Sequence, residues 1–147
     1  MAVAMRASTL APQDDALTGR VIGAAIEVHK ALGPGLLEAI YQNALCVELA
    51  NAGLTFDREY RCSMFYAGSP VGEQRLDLVV DHRVVVEMKA VGALSSLHKA
   101  QLRTYLKATR LTIGLLLNFG AELIQVKRVL NTPNGTLSSL RPPELPS

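Results

Sequence analysis

The run Leu111-Thr112-Ile113-Gly114-Leu115-Leu116-Leu117-Asn118 carries no charge and almost no polar surface. It is far too short to cross a bilayer. A short, continuous apolar run reads instead as a central β-strand covered on both faces. The rest of the chain must then supply a sheet around this strand and helices to cover it.

The flanking patterns supply both. Leu17, Val21, Ala24, Val28 and Leu32 recur at helical spacing and predict a first helix from about Asp15 to Ala31. Gly33-Pro34-Gly35 ends it, since proline disfavours helix at the preceding residue and glycine permits positive φ. A second helix is expected from about Leu36 to Asn51, with Gly53 as its C-terminal cap signal. Tyr60 to Tyr66 alternates in a strand-like way, and Gly68-Ser69-Pro70 with Gly72 reads as a turn. Glu73 to Val80 and Val84 to Lys89 form a hairpin around Asp81-His82-Arg83. Ser95 or Ser96 can cap a third helix reaching about Thr109, and Leu123 to Val129 makes a final strand. The order α-α-β-β-β-α-β-β implies an α/β or α+β sandwich, a mixed sheet flanked by helices.

Composition fits one such unit. Of 147 residues, 49% are hydrophobic and 19% charged, which excludes a disordered chain. Cys46 and Cys62 match no metal-ligand spacing and read as two buried thiols. Residues 1–14 and 131–147 read as flexible ends around a domain at 15–130. The start lacks a secretory apolar stretch, although its Arg, Ser and Thr without acids suit a short targeting extension. A soluble cytoplasmic protein without membrane attachment is expected. The net charge of +2 permits a polyanionic partner without demanding one.

The chemistry concentrates in the hairpin. Side chains alternate along a strand, so Leu76, Leu78 and Val80 are expected on one face, as are Val84, Val86 and Met88. Asp77, Glu87 and Lys89 then share the other. This requires an odd loop, Asp81-His82-Arg83, pairing Val80 with Val84 and Asp77 with Glu87, or a bulge. A two-residue loop would put the two acids on opposite faces. Hard carboxylate oxygens suit Mg²⁺ or Mn²⁺, and a neighbouring lysine can orient a water or stabilise charge on a phosphoryl group. Equally, the same residues could form a solvated ladder of ion pairs with Arg75.

The surroundings narrow this choice. Asp77, nine intervening residues and then Glu87-Met88-Lys89 resemble the PD-(D/E)XK nuclease signature, with Leu76 where proline is frequent. Gln101-Leu102-Arg103-Thr104-Tyr105 resembles the QxxxY motif of its RecB-like branch. Gly35-Leu36-Leu37-Glu38-Ala39-Ile40-Tyr41 resembles the signature of the small GxxExxY proteins assigned to that superfamily. Glu27 to Gly35 and Arg75 to Val80 are also typical of that group. The resemblance implies a restriction-endonuclease-like core that hydrolyses phosphodiester bonds of DNA or RNA with Mg²⁺ or Mn²⁺. It implies metal ligation by Asp77 and Glu87 with Glu38 as a third carboxylate, and catalytic roles for Asp77, Glu87, Lys89, Gln101 and Tyr105.

Other readings remain beside it. Glu38 also suits a helix N-terminus on electrostatic grounds alone. His98, Gln101 and Tyr105 line one helix face that could meet Lys89 or simply edge into water. Lys99, Arg103, Lys107 and Arg110 form a basic stripe, either a phosphate contact or a wet face. His29 reads as a partly buried helix residue and His82 as a turn residue. A non-catalytic nucleic-acid-binding or scaffold protein with the same fold is the alternative function, and a small-phosphoester hydrolase a third. No separate DNA-reading module is present in the pattern, so specificity would come from a homodimer or a protein partner.

Overall fold

A computed structural model describes residues 10–131. Eight elements follow in order: α1 Pro12–Leu32, α2 Glu38–Asn51, β1 Phe56–Tyr66, β2 Ser69–Val80, β3 Val84–Lys89, α3 Ser96–Thr109, β4 Ile113–Asn118 and β5 Gln125–Leu130. The order expected from the sequence is present. The residues from Thr132 onward and residues 1–9, which fall in the expected flexible ends, lie outside the described residues.

The five strands form one sheet in the order β1-β2-β3-β4-β5. All neighbours are antiparallel except β3 and β4, which run parallel, with Val84 beside Ile113 and Lys89 beside Asn118. A parallel pair needs a long crossover, and α3 provides it. β4 is buried at every position, as its uncharged sequence demands.

Each face of the sheet has its own core. On one face, Leu17, Val21, Ala25 and Val28 of α1 and Tyr41, Leu45 and Leu49 of α2 pack on Leu78, Val80, Val84, Val86, Met88, Leu115 and Leu117. On the other, Leu102, Tyr105 and Leu106 of α3 pack on Cys62, Leu76, Val79, Val85 and Leu116. Gly114 allows that approach, since a Cβ there would stand 2.9 Å from the Leu102 side chain.

Helix ends follow local chemistry. α1 starts at Pro12, three residues before the expected Asp15, because proline suits the first helical turn and Asp14 and Asp15 complement the dipole there. Asp14 also pairs with Arg83 in the β2–β3 loop. Gly33 (φ 69°) and Gly35 (φ 106°) take the backbone between α1 and α2 through conformations that exclude most other residues. α3 begins with a capping box: Ser95 Oγ accepts from the His98 N–H at 3.3 Å, and His98 Nδ1 accepts from the Ser95 N–H at 3.1 Å.

Two expectations need correction. Ser69, Pro70 and Gly72 lie in β2 rather than in a turn, which tightens to Ala67-Gly68 with φ of 52° and 82°. The pairing shifts by one residue between Met64 and Phe65, and this irregularity accommodates the proline. Leu76 does not share a face with Leu78 and Val80; it belongs to the α3 side. The alternation breaks at Asp77, opposite Glu59 (φ 50°), and these two residues are left unpaired while the β1–β2 register continues unchanged on either side.

Candidate functional site

The loop Asp81-His82-Arg83 pairs Val80 with Val84, Val79 with Val85 and Leu78 with Val86. Asp81 (φ 54°) and His82 (φ 56°) make the turn, and the Arg83 N–H closes it on the Val80 carbonyl at 3.0 Å. This is the odd-length connection that brings Asp77 opposite Glu87.

There the ladder stops and the two carboxylates replace it. The Asp77 N–H donates to Glu87 Oε2 at 2.9 Å, and the Met88 N–H donates to Asp77 Oδ2 at 2.8 Å. On the other edge of β2, Gln42 Nε2 donates to Glu59 Oε2 at 3.0 Å and reaches the Asp77 carbonyl at 3.4 Å. Side chains therefore hold the Asp77 peptide from both directions, on a strand released from both neighbours. Each carboxylate spends one oxygen on a backbone N–H. The other, Asp77 Oδ1 and Glu87 Oε1, has no hydrogen-bond or ion-pair partner among the described residues.

The electrostatics match that geometry. Glu87 is only 6% exposed. Burial first, and the Asp77 charge second, push its carboxyl up to about 8, against opposing help from the Asp77 N–H and Lys89. Asp77 is half-buried, and its carboxyl is also raised, chiefly by burial and further by Glu38 and Glu59, while the Met88 N–H and Lys89 oppose the rise. Burial, Glu87 and Asp77 raise the Tyr105 hydroxyl. Two acids held together out of water are a costly arrangement that a cation relieves. The donor set is hard oxygen, with one uncommitted oxygen on each acid, and it fits Mg²⁺ or Mn²⁺. Among the described residues no three His, Cys, Asp or Glu side chains close into a cage. An ion here would complete its shell with water and substrate, as Mg²⁺ commonly does.

Lys89 stands two residues beyond Glu87 on β3, half-buried, with Nζ 3.5 Å from Gln101 Oε1 on α3. Tyr105 donates instead to Gln74 Oε1 on β2 at 3.2 Å. His98 makes no hydrogen bond to Lys89, Gln101 or Tyr105 among the described residues; its Nδ1 accepts from the Ser95 N–H in the α3 cap. Glu38 opens α2 in an exposed position and acts on Asp77 and Glu87 through charge. Tyr41, fully buried, explains how Glu38 is presented. Its hydroxyl donates to the Gly33 carbonyl at 2.5 Å and accepts from the Leu36 N–H at 3.1 Å, and its ring stacks on Phe119 at 4.6 Å. The Gly-Pro-Gly loop is thus pinned against the core one turn from Glu38.

The C-terminal end of β3 is fixed by Asn118. Its Oδ1 accepts from the Val91 and Gly120 N–H groups at 3.0 Å each, and its Nδ2 donates to the Val91 carbonyl at 2.9 Å and Gln125 Oε1 at 2.8 Å. A Cβ on Gly120 would stand 2.5 Å from the Val91 backbone. This crossing locks the segment immediately after Lys89. Asn118, Gln42 and Glu59 were not among the residues singled out from the sequence. Glu59 carries no local signal, and Gln42 is visible only as a polar residue four positions after Glu38.

The remaining candidates are structural. His29 is buried, with Nε2 3.0 Å from the Ala121 carbonyl, and His82 faces Asp57 at 3.8 Å in the turn. Cys46 and Cys62 are buried free thiols, each raised by burial.

Helices on both faces of a mixed sheet, with an Asp inside β2 and a Glu and a Lys at the end of β3 where the two strands part, define a restriction-endonuclease-like α+β fold. The model of the PD-(D/E)XK nuclease superfamily matches residues 15–129, and the chain belongs to that superfamily. Among solved structures it is similar to the one titled "Crystal structure of SSO0001", at TM-score 0.50 and 20% identity, over 63% of this chain. The match spans about half (49%) of that protein's length, and it supports the fold alone. No curated protein matches the sequence. No helix among the described residues is long and apolar enough to cross a membrane.

Proposed function

We propose that this protein is a nuclease that hydrolyses phosphodiester bonds of DNA or RNA, using a divalent cation held by Asp77 and Glu87. One observation carries the reading. A buried and a half-buried carboxylate meet where β2 and β3 part, each with an oxygen left over, beside a lysine and with no arginine or lysine paired to either acid among the described residues.

When bound, the ion supplies Lewis acidity and lowers the pKa of a coordinated water. Asp77 and Glu87 would hold it, each having one carboxylate oxygen not engaged by the Asp77 and Met88 N–H groups. Lys89 orients the attacking water and offsets charge developing on the phosphoryl oxygens. Gln101 steadies the Lys89 ammonium, and Tyr105 braces β2 beside Asp77 through Gln74. Glu38, exposed at the start of α2 and felt by both acids through charge, would add a third carboxylate for the ion. Within the superfamily, the Gly35, Glu38 and Tyr41 pattern favours the GxxExxY group. The reading places the protein in the cytoplasm, where unpaired Cys46 and Cys62 are compatible with reducing conditions.

The test is incubation of the purified protein with end-labelled single- and double-stranded DNA and RNA, with Mg²⁺, with Mn²⁺ and with EDTA. Metal-dependent cleavage is expected, reduced at least about 100-fold in Lys89→Ala, a loss of about 3 kcal/mol of transition-state stabilisation. No cleavage of any substrate, or equal cleavage by Lys89→Ala, would overturn it.

A further inference from the structure

β1 and β2 are about twice as long as β3, and the β2–β3 ladder ends at Leu78. From the Tyr60–Leu76 pair to the Tyr66–Ser69 pair, the hairpin therefore runs on with no third strand paired to it among the described residues. At roughly 3.3 Å per residue this is an arm of about 20 Å that starts beside Asp77.

Two features of the arm are costly unless something binds it. First, Arg61 and Arg75 are direct cross-strand partners, and both are exposed. Like charges directly opposed destabilise a strand pair, yet neither arginine has an ion pair or hydrogen bond among the described residues. Glu73 is two residues from Arg75 and opposite Ser63, but it pairs with neither arginine. Cys62 packs on the α3 side and Gln74 bonds to Tyr105, so alternation turns both arginines to the opposite face. That is the face where α2 presents Gln42 to Glu59.

Second, the chain has three Phe, four Tyr and no Trp, and three of these seven rings are exposed on β1. Tyr66 is 76% exposed and Phe65 48%, both at the tip, and Tyr60 is 38% exposed at the base. Every aromatic outside β1, namely Tyr41, Tyr105 and Phe119, is buried. Exposed rings interleaved with unpaired arginines match the requirements of a single nucleic-acid strand: cations for phosphates and flat apolar faces for unstacked bases.

We infer that the β1–β2 arm is a single-strand-binding element, with Arg61 and Arg75 on the backbone phosphates and Phe65 and Tyr66 stacking bases. The strand then runs along the hairpin toward Asp77. The inference rests on the nuclease reading and adds to it a preference for single-stranded over duplex substrate.

Fluorescence anisotropy with a labelled single-stranded oligonucleotide and its duplex tests this, in EDTA and again with Mg²⁺ in a Lys89→Ala background. Arg61→Gln/Arg75→Gln is expected to weaken single-strand binding at least tenfold at 0.1 M salt. It should also flatten the slope of log affinity against log salt by about 1.4, the release expected for two phosphate contacts. Phe65→Ala/Tyr66→Ala should weaken single-strand binding roughly tenfold, leave the salt slope unchanged and spare duplex binding. Unchanged affinity in both double variants, with wild-type cleavage intact, would overturn the arm inference alone. Equal losses on duplex would overturn the single-strand assignment. A wild-type dimer in sedimentation that Phe65→Ala/Tyr66→Ala converts to a monomer with full nucleic-acid affinity would assign the tip to a second copy and overturn the inference. Failure of the wild-type protein to bind or cleave any nucleic acid would instead remove the nuclease reading on which it rests.

Discussion

Glu87→Gln should make the metal-free protein more stable at alkaline pH. The wild-type carboxyl rises from its ordinary 4.5 to about 8 through burial and the neighbouring Asp77. Between those values the folded state holds a proton that the unfolded state has released. Stability is therefore fully present below pH 4.5 and falls as pH rises toward and through about 8. Integrating a single site between these values, with each unit of pH worth at most about 1.4 kcal/mol, gives a loss of about 3 kcal/mol between pH 5.5 and 8.5. Asp77, also raised, adds a loss of the same sign. Glutamine keeps an oxygen for the Asp77 N–H and stays neutral, so most of this slope should vanish in the variant. Urea denaturation followed by circular dichroism, in EDTA, measures it. The stability gap in favour of Glu87→Gln should widen by about 3 kcal/mol between pH 5.5 and pH 8.5. Parallel pH profiles would refute the reasoning, because Glu87 would then ionise freely in the folded state. Weaker binding of a divalent ion is expected to accompany this gain in stability.

Three further outcomes follow from the supports of the site. Tyr41→Phe removes the hydroxyl that bridges Gly33 and Leu36; thermal denaturation should show a loss of about 1–3 kcal/mol, with cleavage reduced through displacement of Glu38. Asn118→Ala strands the Val91 and Gly120 N–H groups and the Val91 carbonyl, and a loss of about 3 kcal/mol is expected in urea. Gly120→Ala would force its Cβ into the Val91 backbone; at least about 2 kcal/mol should be lost, and an unchanged melting temperature would argue against this crossing.

Much of this was legible because it depends on local rules. The Asp81-His82-Arg83 loop sets the hairpin register, and the uncharged β4 run announces a strand covered on both faces. The Ser95-Ser96 pair signals the start of α3, where Ser95 is the cap, and Gly33-Pro34-Gly35 ends α1. What the sequence hid was long-range or broke alternation. A non-glycine residue at positive φ, such as Glu59, leaves no local trace, and neither does the break at Asp77 opposite it that puts Leu76 on the face away from Leu78. Gln42 meets the Asp77 carbonyl across 35 positions, a pairing that no periodicity encodes. His98 matched a polar stripe by spacing, but its proximity to Ser95 gave the cap the nearer claim. Pro70 and Gly72 are ordinary turn signals that became strand residues because β2 there is paired only with β1.

Mn²⁺ placed by anomalous diffraction in crystals of the full chain tests the central claim most directly. The account predicts a single strong peak within ligand distance, about 2.0–2.2 Å, of one oxygen each from Asp77 and Glu87, lost in Asp77→Asn. A peak at other residues, or none at saturating Mn²⁺, would contradict it.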